Sequence, residues 1–191
     1  MPAAPIVRYA DLPAQPWKNG KGVSRTLFSD SNFQGAWSWK VSIAEISQPQ
    51  PYSQYAGIRR VQVALGPGEI DLEVGGEKHR LRAGEQLAFA GEDEVSVAPL
   101  GTGFLALNLM FVGELWEANV STSHDSGQER SSGQVKILVA LNNHCQVGDD
   151  QLNRLDAVMV HSGSHMKTAG SFHLATLTPL TNVLDSKNPL G

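Results

Sequence analysis

A short segment near the start of the chain brings cations, an amide, a hydroxyl and glycines together within ten residues. It reads Pro-Trp-Lys-Asn-Gly-Lys-Gly-Val-Ser-Arg from position 16 to position 25. Glycines let backbone N–H groups approach a ligand, and lysine or arginine side chains can neutralise an anion. The segment is not a P-loop, because it lacks the Gly-Lys-Ser/Thr ending and a strand pattern follows it. Lys18, Asn19 and Arg25 are therefore candidate anion ligands, with a turn carrying solvated charges as the alternative.

Three polar residues further along the chain extend this set. Arg60 begins a predicted strand after a glycine-containing loop, where a guanidinium can hold a carboxylate through two hydrogen bonds. Asn108 lies in a strand that is apolar on both faces, so its amide needs a partner from a neighbouring turn or from a ligand. Glu45 follows the apolar alternation of its strand and needs a cation, which Arg25, Lys18 or Arg60 could supply. For Glu45 the favoured interpretation is an ion pair that orients the wall of a pocket.

The histidines and the cysteine do not form a recognisable catalytic or metal-binding motif. The chain contains no His-x-His pair, and His79 is isolated in a predicted hairpin strand. His161 and His165, with His173, have a spacing that would suit a helix, but the intervening Ser-Gly-Ser makes a helix improbable. Cys145 is the only cysteine, so no internal disulfide can form. No Gly-x-Ser-x-Gly elbow is present either, and we expect neither a metal nor a cofactor.

Composition sets the broad class. With 41% hydrophobic and 18% charged residues, the 191-residue chain can bury a sizeable core. The net charge of −4 argues against binding to nucleic acid or to an anionic membrane, because both require a basic surface. The N-terminus lacks the pattern of a signal peptide, and no run of about 20 apolar residues is present. We therefore expect a cytoplasmic protein.

The elements that must position these residues are strands. Large apolar residues alternate with small or polar ones, and glycine-rich turns separate the runs, which is typical of a β-sandwich or a small barrel. No window has helical spacing. The predicted strands are Val23–Phe28, Trp37–Ile46, Arg60–Leu65, Glu69–Val74, Lys78–Leu81, Gln86–Ala90, Val95–Ala98, Phe104–Val112, Val135–Leu141, Ala157–Val160 and Phe172–Leu177.

One polar segment, residues 121–134, interrupts this pattern and predicts a loop or linker. Only three or four strands are predicted after it, which is too few for a separate barrel. A second sheet would then need strands from the N-terminal part, and Val23–Phe28 and Trp37–Ile46 are the candidates. We expect one unit over residues 1–191, built from two intertwined β halves, with a motif-bearing part to about residue 120.

Four blocks in the first 112 residues resemble the HutD/Ves family. The segment from Trp17 to Arg25 is similar to the opening signature of that family, and Trp39–Ile46 is similar to its Trp-Arg-Val-Ser-Ile-Ala-Glu block. Tyr52–Arg60 resembles its Phe-Ser-x-Phe-x-Gly-x-x-Arg segment, and Leu107–Met110 falls where the family has an Asn-Leu-Met strand. The four blocks stand in the family order, which makes the combination specific.

The resemblance implies an all-β, cupin-like sandwich or barrel, organised as a bicupin, and a link to histidine utilisation. It also implies that the protein binds a small acidic metabolite, such as a formylated glutamate or urocanate, and acts as a regulator. The ligand-binding residues would be Lys18, Asn19, Arg25, Glu45, Arg60 and Asn108. Two other classes stay open: a metal-dependent cupin enzyme, and an interaction module with a vestigial pocket. The protein would be a monomer or a homodimer.

Overall fold

The structure is a computed structural model that describes residues 5–17, 21–30, 37–124, 127–130, 133–160, 163 and 165–180. Its contacts divide the chain into two compact units. The N-terminal unit comprises Pro13–Gly113, and the C-terminal unit comprises residues 1–12 and 114–191. Each unit is described by itself below.

The described residues form strands and one short 3-10 helix, Tyr9–Asp11. In chain order the strands are β1 (Ile6–Val7), β2 (Gln15–Pro16), β3 (Gly22–Ser29), β4 (Trp39–Ile46), β5 (Gln50–Pro51), β6 (Ile58–Gly66), β7 (Glu69–Val74), β8 (Glu77–Leu81), β9 (Gln86–Ala90), β10 (Val95–Leu100), β11 (Phe104–Val112), β12 (Trp116–Ser123), β13 (Gly127–Arg130), β14 (Val135–Ala140), β15 (Cys145–Val147), β16 (Asp150–Leu152), β17 (Ala157–Val160), β18 (His165–Ala169) and β19 (Phe172–Pro179). The all-β prediction is confirmed.

The N-terminal unit is a sandwich of two antiparallel sheets. Its six-stranded sheet has the order β2-β3-β4-β11-β6-β9, and its four-stranded sheet has the order β5-β10-β7-β8. Both sheets contribute apolar side chains to one core, because strands expose alternate residues to the same face. The buried members of that core are Ala44, Ile46, Ala64, Ile70, Leu72, Leu81, Phe89, Val95, Val97, Phe104 and Ala106.

The C-terminal unit is a second sandwich, with sheet orders β1-β17-β14-β19-β12 and β13-β18-β15-β16. Strand β1 joins it from the start of the chain, since Ile6 pairs with Val158. An ion pair fixes the residue after this strand, because Arg8 Nη1 lies 2.8 Å from the carboxylate of Asp156. The buried core residues are Leu138, Ala140, Cys145, Val147, Leu152, Val158, Val160 and Phe172.

The prediction that N-terminal strands complete the second sheet is wrong for both strands proposed. The segments 23–28 and 37–46 form β3 and β4, which pair with each other and, through β4, with β11 inside the N-terminal unit. The C-terminal unit does not need them, because six strands lie in the described residues beyond 134. Three of these, β15, β16 and β18, were not predicted, since strands of three to five residues between turns carry too little alternation to detect.

The prediction of a loop over residues 121–134 is also wrong for the part that the structure describes. Strand β12 continues to Ser123 and pairs with β19 along its full length, and Gly127–Arg130 forms β13 beside β18. Both β12 and β13 are edge strands of their sheets. A polar sequence can form an edge strand because main-chain hydrogen bonds hold it in place and neither face must be fully buried.

Candidate functional site

A row of polar side chains crosses the middle of the six-stranded sheet. Asn108 on β11 lies directly opposite Ser42 on β4 and Gln62 on β6. The neighbouring row consists of alanines, and Ala106 among them belongs to the core between the two sheets. Side chains two residues apart on a strand point to the same face. The polar row therefore points into the interior of the N-terminal sandwich, and all three of its members are buried.

A second row, on the other side of Asn108, carries two cations. Met110 is paired with Lys40 on β4 and with Arg60 on β6, and Arg60 is paired with Phe89 on β9. Because this row is two residues from the polar row, its side chains point to the same interior face. Lys40 and Arg60 therefore share one face with the amides of the polar row.

Arg60 is buried, with 8% of its surface exposed. Its guanidinium carbon lies 4.6 Å from the ring centre of Tyr52 and 4.9 Å from that of Phe89. No carboxylate of the described residues forms an ion pair with it, and the other residues within Pro13–Gly113, 18–20 and 31–36, include no Asp or Glu. Burial lowers the pKa of Arg60, although Tyr52 and Tyr55 oppose this effect. The aromatic contacts hold the guanidinium in place but leave its charge without a counter-ion.

Three polar atoms around this arginine are buried without a hydrogen-bond partner in the described residues: Arg60 Nε, Gln62 Nε2 and Asn108 Oδ1. The Tyr52 hydroxyl donates to Gln62 Oε1 at 2.8 Å, which leaves the amide nitrogen of Gln62 as a donor. Each unsatisfied group costs about 1–3 kcal/mol of folding free energy. Three such atoms in one cluster, beside an unpaired charge, are the pattern expected where a ligand supplies the missing partners.

Tyr52 cannot supply the missing negative charge. Burial raises the pKa of Tyr52 to about 12, and the opposing effects of Arg60 and of the hydrogen bond to Gln62 are smaller. The phenol therefore stays protonated at neutral pH. Its ring and hydroxyl orient Arg60 and Gln62, and the positive charge of the site persists.

Lys40 adds a second cation. Its ammonium lies 5.0 Å from the ring centre of Trp37. Burial lowers the pKa of Lys40, and the charge of Arg60 lowers it further. Both cations are paired with Met110, from opposite sides of β11.

The glycine-rich motif is anchored beside these residues at both ends. The ring of Trp17 meets that of Tyr52 edge to face, with ring centres 5.9 Å apart, and the main-chain N–H of Trp17 donates to Gly22 O at 2.9 Å. A Cβ on Gly22 would lie 2.9 Å from Glu45 O and 3.1 Å from the Trp17 ring, so this position requires glycine. The Lys21 carbonyl accepts a hydrogen bond from a glutamine side chain at 2.8 Å. Lys18 and Asn19, predicted as ligands, lie outside the described residues.

The structure does not bring Arg25 and Glu45 together with Arg60 and Asn108. Arg25 is paired with Ile43, which neighbours Ser42 in sequence, so strand alternation directs Arg25 and Glu45 to the face opposite the polar row. An Arg25 nitrogen lies 4.0 Å from a Glu45 oxygen, and the side chains are 24% and 46% exposed. Arg25 is thus the cation nearest to Glu45 among the described members of the three that the sequence offered, Arg25, Lys18 and Arg60. The roles of Arg25 and Glu45 in ligand binding stay predictions, as does that of Asn108.

The segment after Tyr52 carries a second tyrosine towards the site. Tyr55 N–H donates to Gly91 O at 2.7 Å, and Gly57 N–H donates to the Glu92 carboxylate. A Cβ on Gly91 would meet the carbonyl oxygens of Tyr55 and Ile58, so the close approach of the two segments depends on this glycine. Tyr55 is 41% exposed, and with Tyr52 it opposes the lowering of the Arg60 pKa by burial.

Four side chains of the cluster were missed by the sequence analysis: Lys40, Ser42, Tyr52 and Gln62. The available signal was the position of Ser42 and Gln62 at alternate places in strands that are otherwise apolar. A polar residue facing the core side of a strand needs a partner, as argued for Asn108. Tyr52 entered the sequence analysis only as the first residue of the Tyr52–Arg60 block.

The histidine side chains that the structure describes do not form one cluster. His79 lies 3.8 Å from Glu77 on β8, whereas His173 is buried on β19 with its Nδ1 3.0 Å from Thr122 Oγ1. Burial lowers the pKa of His173 to about 4, with a smaller contribution from His124. His161 lies outside the described residues. Within the described ranges no group of three or more His, Cys, Asp or Glu side chains could hold a metal ion.

No helix in the part of the chain that the structure describes is long and apolar enough to cross a membrane.

Fold and site together define an all-β protein of two sandwich units, one of which has a buried arginine and buried amides inside it. The chain belongs to the HutD family, whose model matches residues 9–176. It is 30% identical to a 21.2 kDa protein from the hutC 3′ region of Pseudomonas putida over 145 residues, covering 74% of this chain and 76% of that protein. It is 28% identical to protein Ves of Citrobacter koseri over 157 residues, covering 81% of each.

A solved structure supports the fold assignment. HutD from Pseudomonas fluorescens SBW25, in a formate condition, superposes with a TM-score of 0.86 at 24% identity, covering 93% of this chain and all of that one. The predicted membership of the HutD/Ves family is confirmed, and the shared fold agrees with the all-β prediction.

Proposed function

We propose that this protein binds a small carboxylate metabolite of histidine utilisation inside its N-terminal unit and acts as a regulatory protein. The observation that carries the proposal is the buried guanidinium of Arg60, which has no counter-ion in its unit and lies among unsatisfied polar atoms of Gln62 and Asn108. A carboxylate supplies both the charge and the acceptors that such a site lacks.

The unsatisfied atoms define a hydrogen-bonding pattern for the ligand. Arg60 Nε and Gln62 Nε2 donate, so they would hold carboxylate oxygens. Asn108 Oδ1 accepts, so the ligand would present an N–H or O–H group to it. Formylglutamate offers an amide N–H and urocanate an imidazole N–H, each next to a carboxylate-bearing chain. Both therefore suit the pattern.

The chemistry of the cluster favours recognition over turnover. An arginine, two amides and a phenol with a pKa of about 12 hold their protons at neutral pH, so they bind and orient a ligand. The link to histidine utilisation is supported by the family and by the relative from the hutC 3′ region. The proposal includes a cytoplasmic protein, monomeric or dimeric, that works as one bicupin unit over residues 1–191. The pairing of β1 with β17 supports the bicupin part, because residues from both ends of the chain build one sandwich.

A thermal-shift panel tests this proposal, with N-formylglutamate, urocanate, histidine, glutamate, formate and divalent metals. A ligand at about 100 times its Kd stabilises the protein by about 2.7 kcal/mol, which for this chain length raises the Tm by about 5–10 °C. We expect such a shift with one acidic metabolite, its loss in Arg60→Met and its retention in Arg59→Met. Arg59 is a matched control because it is adjacent, exposed and on the opposite strand face.

Other outcomes would overturn the proposal in distinct ways. A shift caused only by a metal would move the function to a metal-dependent enzyme. If no compound in the panel raises the Tm, an interaction module would be favoured. A ligand shift that survives in Arg60→Met would place the binding site elsewhere on the molecule.

A further inference from the structure

We propose that Lys40 determines the specificity of this site: it binds a second anionic group, so the site selects dicarboxylates over monocarboxylates. This inference rests on the proposed carboxylate site at Arg60 and states which class of carboxylate the site accepts. It separates formylglutamate, which has two carboxylates, from urocanate, which has one.

The position of Lys40 suits a two-point contact. Lys40 and Arg60 are both paired with Met110, from opposite sides of β11, so their main chains are two strand spacings, about 10 Å, apart. Both side chains point to the same interior face, and both are long enough to reach towards each other. Trp37 lies against the Lys40 ammonium and the aromatic pair of Tyr52 and Phe89 lies against the guanidinium, so each cation has its own place in the cluster.

The charge balance requires more than one negative charge. The described residues provide no carboxylate partner for Lys40 or Arg60, and residues 18–20 and 31–36 contain no Asp or Glu. Burial lowers the pKa of Lys40, and the positive charge of Arg60 lowers it further. A monocarboxylate bound at Arg60 would leave Lys40 uncompensated, whereas a dicarboxylate compensates both cations.

Calorimetric titration with matched ligand pairs tests the role of Lys40. The probes are N-formylglutamate with N-formylglutamine, and succinate with succinamate; within each pair, one carboxylate is replaced by an uncharged amide of the same shape. We expect the wild-type protein to prefer the dicarboxylate of at least one pair by about tenfold or more, as a charged hydrogen bond implies. In Lys40→Met the preference should fall below about threefold, while the affinity for the amide stays unchanged.

Two further variants keep the result decisive. Lys40→Arg should restore the preference, because it keeps the charge, and it also covers the case in which Lys40→Met fails to fold. Lys78→Met, on the exposed strand β8, should behave as wild type. Equal affinities within each pair for the wild-type protein, or a preference that survives in Lys40→Met, would overturn the role of Lys40 alone. Absence of binding for all four probes would overturn the carboxylate site itself, and with it this inference.

Discussion

The two units share a two-sheet architecture, but they differ in whether an inward-facing lysine has a carboxylate partner. In the C-terminal unit, Lys136 on β14 is 3.1 Å from the carboxylate of Glu129 on β13, and the pair links the two sheets. In the N-terminal unit, neither Lys40 nor Arg60 has a carboxylate partner among the described residues. The first arrangement is complete without a ligand, whereas the second lacks its negative charge.

The side chains next to these cations also differ between the two units. Next to Lys136 the C-terminal strands place Leu138 and Val158, which belong to the apolar core. Next to Lys40 and Arg60 the N-terminal strands place Ser42, Gln62 and Asn108. Apolar rows stabilise a unit through burial, but unsatisfied amides destabilise it until something binds. Under the proposed function, the C-terminal unit contributes stability and the N-terminal unit binds the ligand.

Removing one cation from each unit should have opposite consequences and gives the largest expected effect. Arg60→Met should weaken carboxylate binding by about 100-fold or more, because it removes a buried charged partner of the ligand. It should leave the stability of the ligand-free protein unchanged or higher, since an uncompensated buried charge disappears. Titration calorimetry and urea unfolding measure the two effects.

The counterpart in the C-terminal unit is Lys136→Met, which leaves Glu129 half-buried without its cation. We expect a loss of about 1–3 kcal/mol of unfolding free energy with carboxylate affinity unchanged. If Arg60→Met instead unfolds the protein while Lys136→Met is neutral, the roles assigned to the two units are reversed.

A histidine in the C-terminal unit, His173, should cause a loss of stability at acid pH. The folded protein protonates His173 only near pH 4, whereas the unfolded chain does so near pH 6.5. Between these values the unfolded chain binds more protons, so stability is fully present above about pH 6.5 and is lost as the pH falls towards 4. The loss should reach about 1–3 kcal/mol. Urea unfolding at several pH values should give a flatter profile for His173→Gln; an unchanged profile would assign the effect to other groups.

Replacing the central amide of the polar row should raise the stability of the protein and lower its affinity for a carboxylate. Asn108→Leu keeps the number and branching of the side-chain heavy atoms and removes an unsatisfied buried acceptor, so we expect about 1–2 kcal/mol of added unfolding free energy. Carboxylate affinity should fall about tenfold, because the ligand loses a hydrogen bond. A variant that is destabilised while its affinity is unchanged would mean that Asn108 has a structural role only.

The last prediction concerns stability alone and tests the anchor of the glycine-rich motif. Gly22→Ala would press a Cβ against Glu45 O and the Trp17 ring, which should cost about 1–3 kcal/mol of stability. The matched control is Gly127→Ala in β13, where the nearest atom to the new Cβ is 3.6 Å away. Equal Tm values for the two variants would show that the close approach at Gly22 is not required.

The parts of the fold that the sequence predicts are those with strong alternation. Strands such as Glu69–Val74 and Gln86–Ala90 have the bounds expected from their period of two. Short strands such as Cys145–Val147 have no such signal, and the edge strands in residues 121–130 are held by main-chain hydrogen bonds that no side-chain pattern reveals. The partner of each strand also depends on long-range pairing, so the assignment of 23–28 and 37–46 to the wrong unit could not be avoided from pattern alone.

The site was predictable where a residue type conflicts with its surroundings. Arg60 and Asn108 were found because an arginine at a loop–strand junction and an amide in an apolar strand both demand partners. Arg25 and Glu45 were grouped with them, although strand alternation separates their face from that of Ser42. Gln62 and Lys40 could be recognised only from the strand register. On β11, Asn108 is paired with Gln62 and Met110 is paired with Lys40.

The most direct test of the central claim is the NMR signal of the Arg60 Nε–H group, assigned by its absence in Arg60→Lys, during titration with N-formylglutamate. A carboxylate that binds to this group should shift the signal downfield and slow its exchange with water as the protein becomes saturated. An Arg60 signal that stays unchanged while the ligand saturates the protein would contradict the claim, and so would a failure of this dicarboxylate and of urocanate to bind at all.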